Sequence, residues 1–116
     1  MKPIDAQDRR VANLATGTFE PFLDAEGNPD GEALQVNGGR TGYGFHIYRM
    51  APGTTTTAHE HVGDEEFVLL DGDLTDHDGY EYKPGDIVWL RSGTKHNSTT
   101  KNGCTLVVYL LDARDI

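Results

Sequence analysis

The feature that most constrains the fold is the regular alternation of short β-favouring segments with glycine-centred turns. The segments GFHIYRM (44–50), DIVWL (86–90) and CTLVVYLL (104–111) are rich in aromatic and branched residues, which favour strands. Turn signals such as Asn102-Gly103 separate these segments. The spacing predicts about seven to nine short strands in a β-sandwich or small barrel. The only helical pattern, a weak one, is confined to residues 1–16.

Length and charge limit the classes of protein and partner. The 116 residues suit one domain, and 19 acidic against 10 basic residues give a net charge of -9. Because nucleic acids and anionic membranes carry phosphate charge, this balance disfavours both as partners. The single cysteine, Cys104, excludes an internal disulfide, and no apolar run reaches the length of a signal peptide or membrane span. We therefore expect a cytoplasmic protein with a single domain over residues 1–116.

A cluster of histidines and acids, AHEHVGDEE (58–66), is the strongest chemical signal in the chain. Since side chains alternate along a strand, His59 and His61 share one face while Glu60 points to the other. Glu65 follows after a short turn with the same parity as the histidines. Two imidazoles and a carboxylate make a ligand set suited to Fe, Mn, Ni, Co or Zn. On spacing alone, a solvated His-x-His pair on an edge strand is an equally good interpretation.

The spacing of these residues resembles the two sequence motifs of the cupin superfamily. The fixed positions of the first motif are filled by Gly53, His59, His61, Glu65 and Gly72. Those of the second motif are filled by Gly85, Gly93 and His96, whereas Arg91 replaces its Pro and Thr100 replaces its final Asn. The replaced residues shape turns and do not bind metal, so the ligand positions remain intact.

This resemblance implies an all-β fold, the double-stranded β-helix or RmlC-like jelly roll, with a metal site inside the barrel. The barrel core would span residues 44–111, and residues 1–36 would form an N-terminal extension that covers a sheet edge or crosses to a partner. The metal would be one divalent transition ion (Fe, Zn, Ni or Mn) held by His59, His61, Glu65 and His96. Glu66 becomes the ligand instead if the turn shifts by one residue, but only Glu65 leaves six residues before Gly72.

Within the superfamily the chain is most similar to small ChrR-type and acetylacetone-dioxygenase-like cupins. The residues that carry this similarity are H-x-H-x-G-x-E-E-F-V-L, a following D-G, and a later G-C before the last strand. ChrR-type cupins include the metal-binding domain of an anti-sigma factor, whose separate sigma-binding helical domain has no counterpart here, so we do not expect sigma-factor sequestration.

The similarity implies two classes of function. One is a metal-dependent dioxygenase-type enzyme acting on a small carbonyl or phenolic substrate. The other is a non-catalytic zinc- or ligand-binding module with a sensing or regulatory role. We further expect a homodimer, as is common among small cupins. Sequence does not choose between catalysis and binding alone, because the substrate pocket depends on strand faces that it leaves open.

The strand at residues 44–50 illustrates that ambiguity. Its inward residues are either the set Phe45, Ile47 and Arg49 or the set His46, Tyr48 and Met50. The second set would give the pocket a polar wall suited to proton transfer. The further residues expected to line the pocket or its mouth are Thr57, Trp89 and Tyr109.

Overall fold

A computed structural model of the chain describes residues 1–111. Within them, one 3-10 turn (η1, Ala6–Asp8) is the only helical element, so the helical pattern over residues 1–16 yields a single short turn. No helix in the described residues is long and apolar enough to cross a membrane. The strands are β1 (Glu20–Leu23), β2 (Pro29–Leu34), β3 (Gly44–Met50), β4 (Thr54–Thr55), β5 (His59–Glu60), β6 (Glu65–Gly72), β7 (Leu74–Asp76), β8 (Glu81–Tyr82), β9 (Ile87–Leu90), β10 (Lys95–His96), β11 (Ser98–Thr100) and β12 (Cys104–Leu110).

The strands form the predicted all-β jelly roll, although the sheets do not close into a continuous barrel. A six-stranded sheet has the order β1-β2-β3-β12-β6-β9, and a four-stranded sheet has the order β4-β11-β7-β8. A two-stranded ladder pairs β5 with β10, and every pairing is antiparallel. The twelve strands exceed the predicted number for two reasons. The sequence predicts no strand before residue 44, where β1 and β2 lie, and two segments each divide where the chain passes between sheets. Residues 54–61 supply β4 and β5, and residues 96–100 contribute to both β10 and β11.

The hydrophobic core lies between the two larger sheets and follows the two-residue period of the strands. In β12 the buried residues alternate with partly exposed ones, and the same holds in β6. In β3 the buried residues are His46 and Met50, whereas Phe45 is exposed, so the structure selects the inward set that contains His46. The core consists of Met50, Phe67, Leu69, Leu74, Tyr82, Cys104, Leu106, Val108 and Leu110.

The N-terminal part of the chain extends the edge of the six-stranded sheet. The hairpin of β1 and β2 packs beside β3, with Ala33 opposite Tyr48. The connection between these two strands is short, because β1 ends at Leu23 and β2 begins at Pro29. Residues 1–16 are exposed throughout, and the Arg10 side chain donates a hydrogen bond to the carbonyl oxygen of Val36 at 2.9 Å, beyond the end of β2.

The turn before β12 is fixed by a close backbone contact with Gly72 and by hydrogen bonds to the Asp73 carboxylate. Gly72 has φ 85°, and a Cβ there would lie 2.0 Å from the carbonyl oxygen of Gly103, so only glycine fits. The Asp73 carboxylate accepts hydrogen bonds from the backbone N–H of Lys101 and of Asn102, at 2.7 and 2.8 Å. These bonds hold the pKa of Asp73 below its usual value. The predicted Asn102-Gly103 turn is thereby anchored to the end of β6.

Candidate metal centre

Three histidines converge at the two-stranded ladder of β5 and β10. His59 in β5 lies directly opposite His96 in β10, and His61 follows two residues after His59. The Nε2 atom of His61 lies 3.0 Å from Nε2 of His59 and 3.1 Å from Nε2 of His96. The ligand atoms of the three residues all lie within 4.8 Å of one another. The cluster could therefore hold a metal ion.

The far sides of two of these rings are held by hydrogen-bond acceptors. Nδ1 of His59 lies 2.6 Å from the carbonyl oxygen of Thr57, and Nδ1 of His96 lies 3.4 Å from the Asp76 carboxylate. An acceptor at Nδ1 requires the proton there in a neutral ring, which leaves the lone pair on Nε2. Burial lowers the pKa of His59, favouring the neutral ring. Two Nε2 lone pairs are thus directed at the position that His61 also faces.

The donor separations fit a transition-metal site. Two nitrogens bound to one ion at about 2.1 Å and at a right angle to each other lie about 3.0 Å apart. The separations of 3.0 and 3.1 Å among His59, His61 and His96 agree with that value. Three imidazoles suit Zn, Fe, Ni or Cu chemically. The residues present therefore fit a divalent transition metal.

The positions of Glu65 and Glu66 show which of these two acids lies beside the histidines. Glu65, the first residue of β6, points inward, and its Oε1 lies 3.3 Å from Nε2 of His61 and 3.6 Å from Nε2 of His96. Glu66 points outward and is exposed, opposite Trp89. Glu65 is thus the acid beside the cluster, in contact with two of the three histidines. The compact group of possible ligand atoms comprises the three histidines without Glu65.

Sequence reasoning missed Asp76, which lies directly behind His96. Asp76 is buried, with 8% of its surface exposed, at the end of β7. Its carboxylate accepts hydrogen bonds from the hydroxyls of Tyr82 (2.6 Å) and Ser98, in addition to facing Nδ1 of His96. Burial alone would raise the pKa of Asp76, but these three partners outweigh it and lower the pKa. The residue therefore stays charged inside the fold.

The three histidines line a cavity of about 270 Å³. His46, Tyr48 and Thr57, all expected to line the pocket, do line it. His46 donates from Nδ1 to the carbonyl oxygen of Gly44 at 2.9 Å, and burial lowers its pKa. A neutral ring with Nδ1 protonated carries its lone pair on Nε2. The apolar part of the wall is formed by Phe22, Tyr43, Met50, Phe67, Leu74, Leu106, Val108 and Leu110.

The charged residues that line this cavity are all acidic. Asp24, Asp30, Glu60 and Glu65 border it, and within residues 1–111 no lysine or arginine does. Asp30 accepts a hydrogen bond from the backbone N–H of Thr57 at 3.0 Å, and its carbonyl oxygen accepts one from the Tyr48 hydroxyl at 2.6 Å. Burial raises the pKa of Tyr48, so this hydroxyl keeps its proton. The cavity is therefore apolar in its wall and negative in its fixed charge.

Two residues expected in the pocket lie outside it, which corrects that expectation. Trp89 and Tyr109 are exposed on the outer face of the six-stranded sheet. The physical reason is strand parity: Val108, which lines the cavity, sets the inward face of β12, so its neighbour Tyr109 points outward. Trp89 pairs with the outward Glu66 and donates from Nε1 to the Asp64 carboxylate at 3.2 Å.

The fold and the histidine cluster together define a cupin, and comparison with known proteins identifies the branch. The chain belongs to the ChrR Cupin-like domain family, whose model matches residues 15–113. A search of curated proteins gave no significant match.

Solved structures share the fold at low sequence identity. An acetylacetone dioxygenase from Acinetobacter johnsonii is 14% identical (100% of this chain and 85% of that chain covered, TM-score 0.67). The Rhodobacter sphaeroides complex of SigE with the anti-sigma ChrR contains a chain that is 16% identical (85% and 52% covered, TM-score 0.64). This chain thus spans about half of that one. A predicted oxalate decarboxylase from Thermotoga maritima is 23% identical (88% and 100% covered, TM-score 0.62).

Proposed function

We propose that this protein is a metal-dependent enzyme of the dioxygenase type that acts on a small carbonyl or phenolic substrate. One divalent transition-metal ion would be held by His59, His61, Glu65 and His96. The observation that carries the proposal is the convergence of three imidazole Nε2 atoms in the lining of a largely apolar cavity. The likeness to an acetylacetone dioxygenase over the whole chain supports it at the level of the fold.

The positions of the side chains suggest a separate role for the metal ion, the apolar wall, His46 and Tyr48. A bound ion would supply Lewis acidity and, if it is iron, electrons for dioxygen chemistry. The apolar wall would bind the hydrocarbon part of the substrate and exclude water. His46, whose Nε2 is an acceptor, would take a hydrogen bond or a proton from a substrate hydroxyl or enol. Tyr48 keeps its proton and fixes the wall through its bond to Asp30.

The charge of the cavity narrows the substrate class. A carboxylate substrate in an apolar cavity needs a cationic partner. The proposed metal ion would pair with one carboxylate group, but the charged residues among the described lining residues are all acids and would repel a second one. We infer that neutral carbonyl compounds bind and that dicarboxylates such as oxalate bind poorly. The chain would therefore differ in substrate charge from a decarboxylase of oxalate, despite the shared fold.

A second candidate function is a non-catalytic zinc- or ligand-binding module with a regulatory role. The observation that favours it is the fold likeness to a chain in the complex of SigE with the anti-sigma ChrR. In this case the four side chains would form a closed metal shell with no position left for substrate. A cytoplasmic location remains a prediction from the sequence under both functions.

The deciding experiment combines metal analysis with oxygen uptake. Protein purified without added metal is analysed for Fe, Zn, Ni and Mn, then loaded anaerobically with Fe(II) and offered pentane-2,4-dione, catechol or oxalate. Substrate-dependent uptake with the diketone or catechol, absent with oxalate and absent in His61→Ala, is the expected result. Tight stoichiometric zinc without uptake under any loading would favour the binding module. Failure to bind any metal would overturn both functions.

We also propose a homodimer, and the outer face of the six-stranded sheet is the surface that supports it. Two adjacent cross-strand rows run over β3, β12, β6 and β9 on this face, and Glu66 is their only charged residue. Ile87, at the end of one row, is 84% exposed. The rows are Phe45, Tyr109, Glu66 and Trp89, and Ile47, Val107, Val68 and Ile87.

The size of this apolar face suits a second copy of the chain. Its exposed aromatic and aliphatic side chains amount to roughly 600 Å² per copy, close to the roughly 800 Å² that each partner contributes to a standard interface. Two copies related by a twofold axis would bury the same rows against each other. Each copy carries a net charge of -9, so added salt would screen their repulsion and tighten the dimer.

A further inference from the structure

The Asp76 carboxylate is more heavily bonded than packing requires. It lies at the end of the short strand β7, two residues after the buried Leu74. The hydroxyls of Tyr82 and Ser98 donate to its two oxygens, and the oxygen bound by Ser98 also faces Nδ1 of His96. Burying a carboxylate costs free energy unless partners compensate, and an apolar residue would simply extend the core. The three partners compensate this cost and also fix the position of the carboxylate beside His96.

The network ends on one proposed metal ligand. Tyr82 and Ser98 are neutral donors that fix the plane and position of the carboxylate, and only His96 connects it to the histidine cluster. At 3.4 Å, the contact to His96 is the longest of the three. It has room to shorten when the imidazole gains positive character, because charge-assisted hydrogen bonds are shorter than neutral ones.

We propose that Asp76 is a positioning residue of the metal centre: it accepts the Nδ1 proton of His96, holds the Nε2 lone pair toward His61, and strengthens metal binding. The inference rests on the proposed metal site, in which His96 is a ligand. Carboxylate partners behind a ligating histidine fix its tautomer and increase its basicity. Asp76 would not touch substrate or metal.

The first test uses the metal-free wild-type protein and requires no variant. Long-range ¹H–¹⁵N NMR of the imidazole rings reports which ring nitrogen carries the proton. We expect His96 to be the Nδ1-protonated tautomer near neutral pH. A neutral His96 with its proton on Nε2 and none on Nδ1 would overturn the inference, since Asp76 would then have no Nδ1 proton to accept.

The second test measures Co(II) affinity and the visible Co(II) spectrum of Asp76→Asn. Loss of such a partner weakens metal binding by about 10–100-fold, and we expect a loss in that range with a shifted spectrum. Asp73→Asn is the matched control, because Asp73 also accepts two hydrogen bonds but precedes β7 and bonds to the turn before β12, not to a histidine of the cluster. It should lower the melting temperature and leave affinity and spectrum unchanged.

The outcomes separate this inference from the proposed function. If the wild-type protein binds no Co(II), the metal site itself fails. If the wild type binds and Asp76→Asn binds equally with the same spectrum, Asp76 has only a structural role and the metal site stands. If Asp76→Asn does not fold, the same measurements on Tyr82→Phe, which removes one donor to Asp76, should show a smaller loss in the same direction.

Discussion

His59 and His96 lie directly opposite each other across the β5–β10 ladder, although 36 positions separate them in the sequence. The ladder consists of only this pair and the neighbouring pair of Glu60 and Lys95. Each ring is held from behind, His59 by the Thr57 carbonyl and His96 by Asp76. Two distant parts of the chain are therefore brought together with their Nε2 atoms already oriented.

His61→Ala should abolish stoichiometric metal binding. We expect the metal affinity to fall by more than about 100-fold, because loss of a ligand atom should weaken binding more than loss of a residue that only supports a ligand. His61 is the histidine whose Nε2 contacts both others. Isothermal titration with Co(II) or Zn(II), alongside circular dichroism, checks binding and fold together. His77→Ala is the control, since His77 is exposed and outside the cluster. Equal binding by wild type and His61→Ala would reject the ligand assignment.

Glu65→Gln and Glu66→Gln form a pair that tests the choice of acid. Glu65 faces His61 and His96, whereas Glu66 faces outward. We expect Glu65→Gln to weaken metal binding by about tenfold or more, because an anionic oxygen ligand becomes a neutral amide. Glu66→Gln should bind as the wild type does. The reverse pattern in a chelator-competition assay would identify Glu66 as the ligand.

Tyr109→Lys should weaken self-association by at least about tenfold, since a charge would be buried in the apolar rows of the outer sheet face. Sedimentation equilibrium at low and high salt measures this, and the wild-type dimer should tighten as salt rises. Tyr80→Lys is the matched control, because Tyr80 is also exposed but lies outside the two rows. A wild-type monomer at high concentration, or a dimer unaffected by Tyr109→Lys, would contradict the proposed surface.

Asp73→Ala should lower the melting temperature at neutral pH, because two backbone N–H groups at the β12 turn lose their acceptor. The pKa of Asp73 is lowered in the folded protein. Its contribution is therefore present above the unfolded pKa of about 3.9 and is lost as the pH falls through the lower folded value. Melting curves from neutral to acid pH should converge for wild type and variant. Asp71→Ala, at an exposed neighbouring position, should show neither effect.

Much of the site could be predicted from the sequence because its signals are local. Period-two alternation places His59 and His61 on one face without any knowledge of the rest of the fold. The glycine-centred turns predict the short strands, and motif spacing adds His96 by resemblance. The division of residues 54–61 into two strands was not predictable, because the same threonine-rich pattern suits one continuous strand.

The predictions that were wrong concern strands in which the local sequence does not show which face is buried. Trp89 and Tyr109 are aromatic residues in strands with apolar residues on both faces, so the pattern does not say which face is inside. The same ambiguity left the inward residues of β3 open until the burial of His46 decided it. Asp76 could not be distinguished from its acidic neighbours, because in DLTDHDGY nothing local shows which carboxylate is buried.

The β5–β10 ladder has a mechanical consequence. Two residue pairs are too few to hold two strands firmly on their own, yet this ladder supplies His59 and His96, while Glu65 belongs to the six-stranded sheet. An ion bound by His59, His96 and Glu65 would cross-link the ladder to the six-stranded sheet. Metal binding would therefore slow backbone amide hydrogen exchange in the β5–β10 ladder far more than in β12. Occupancy of the metal site could then be measured from the exchange rates of these amides.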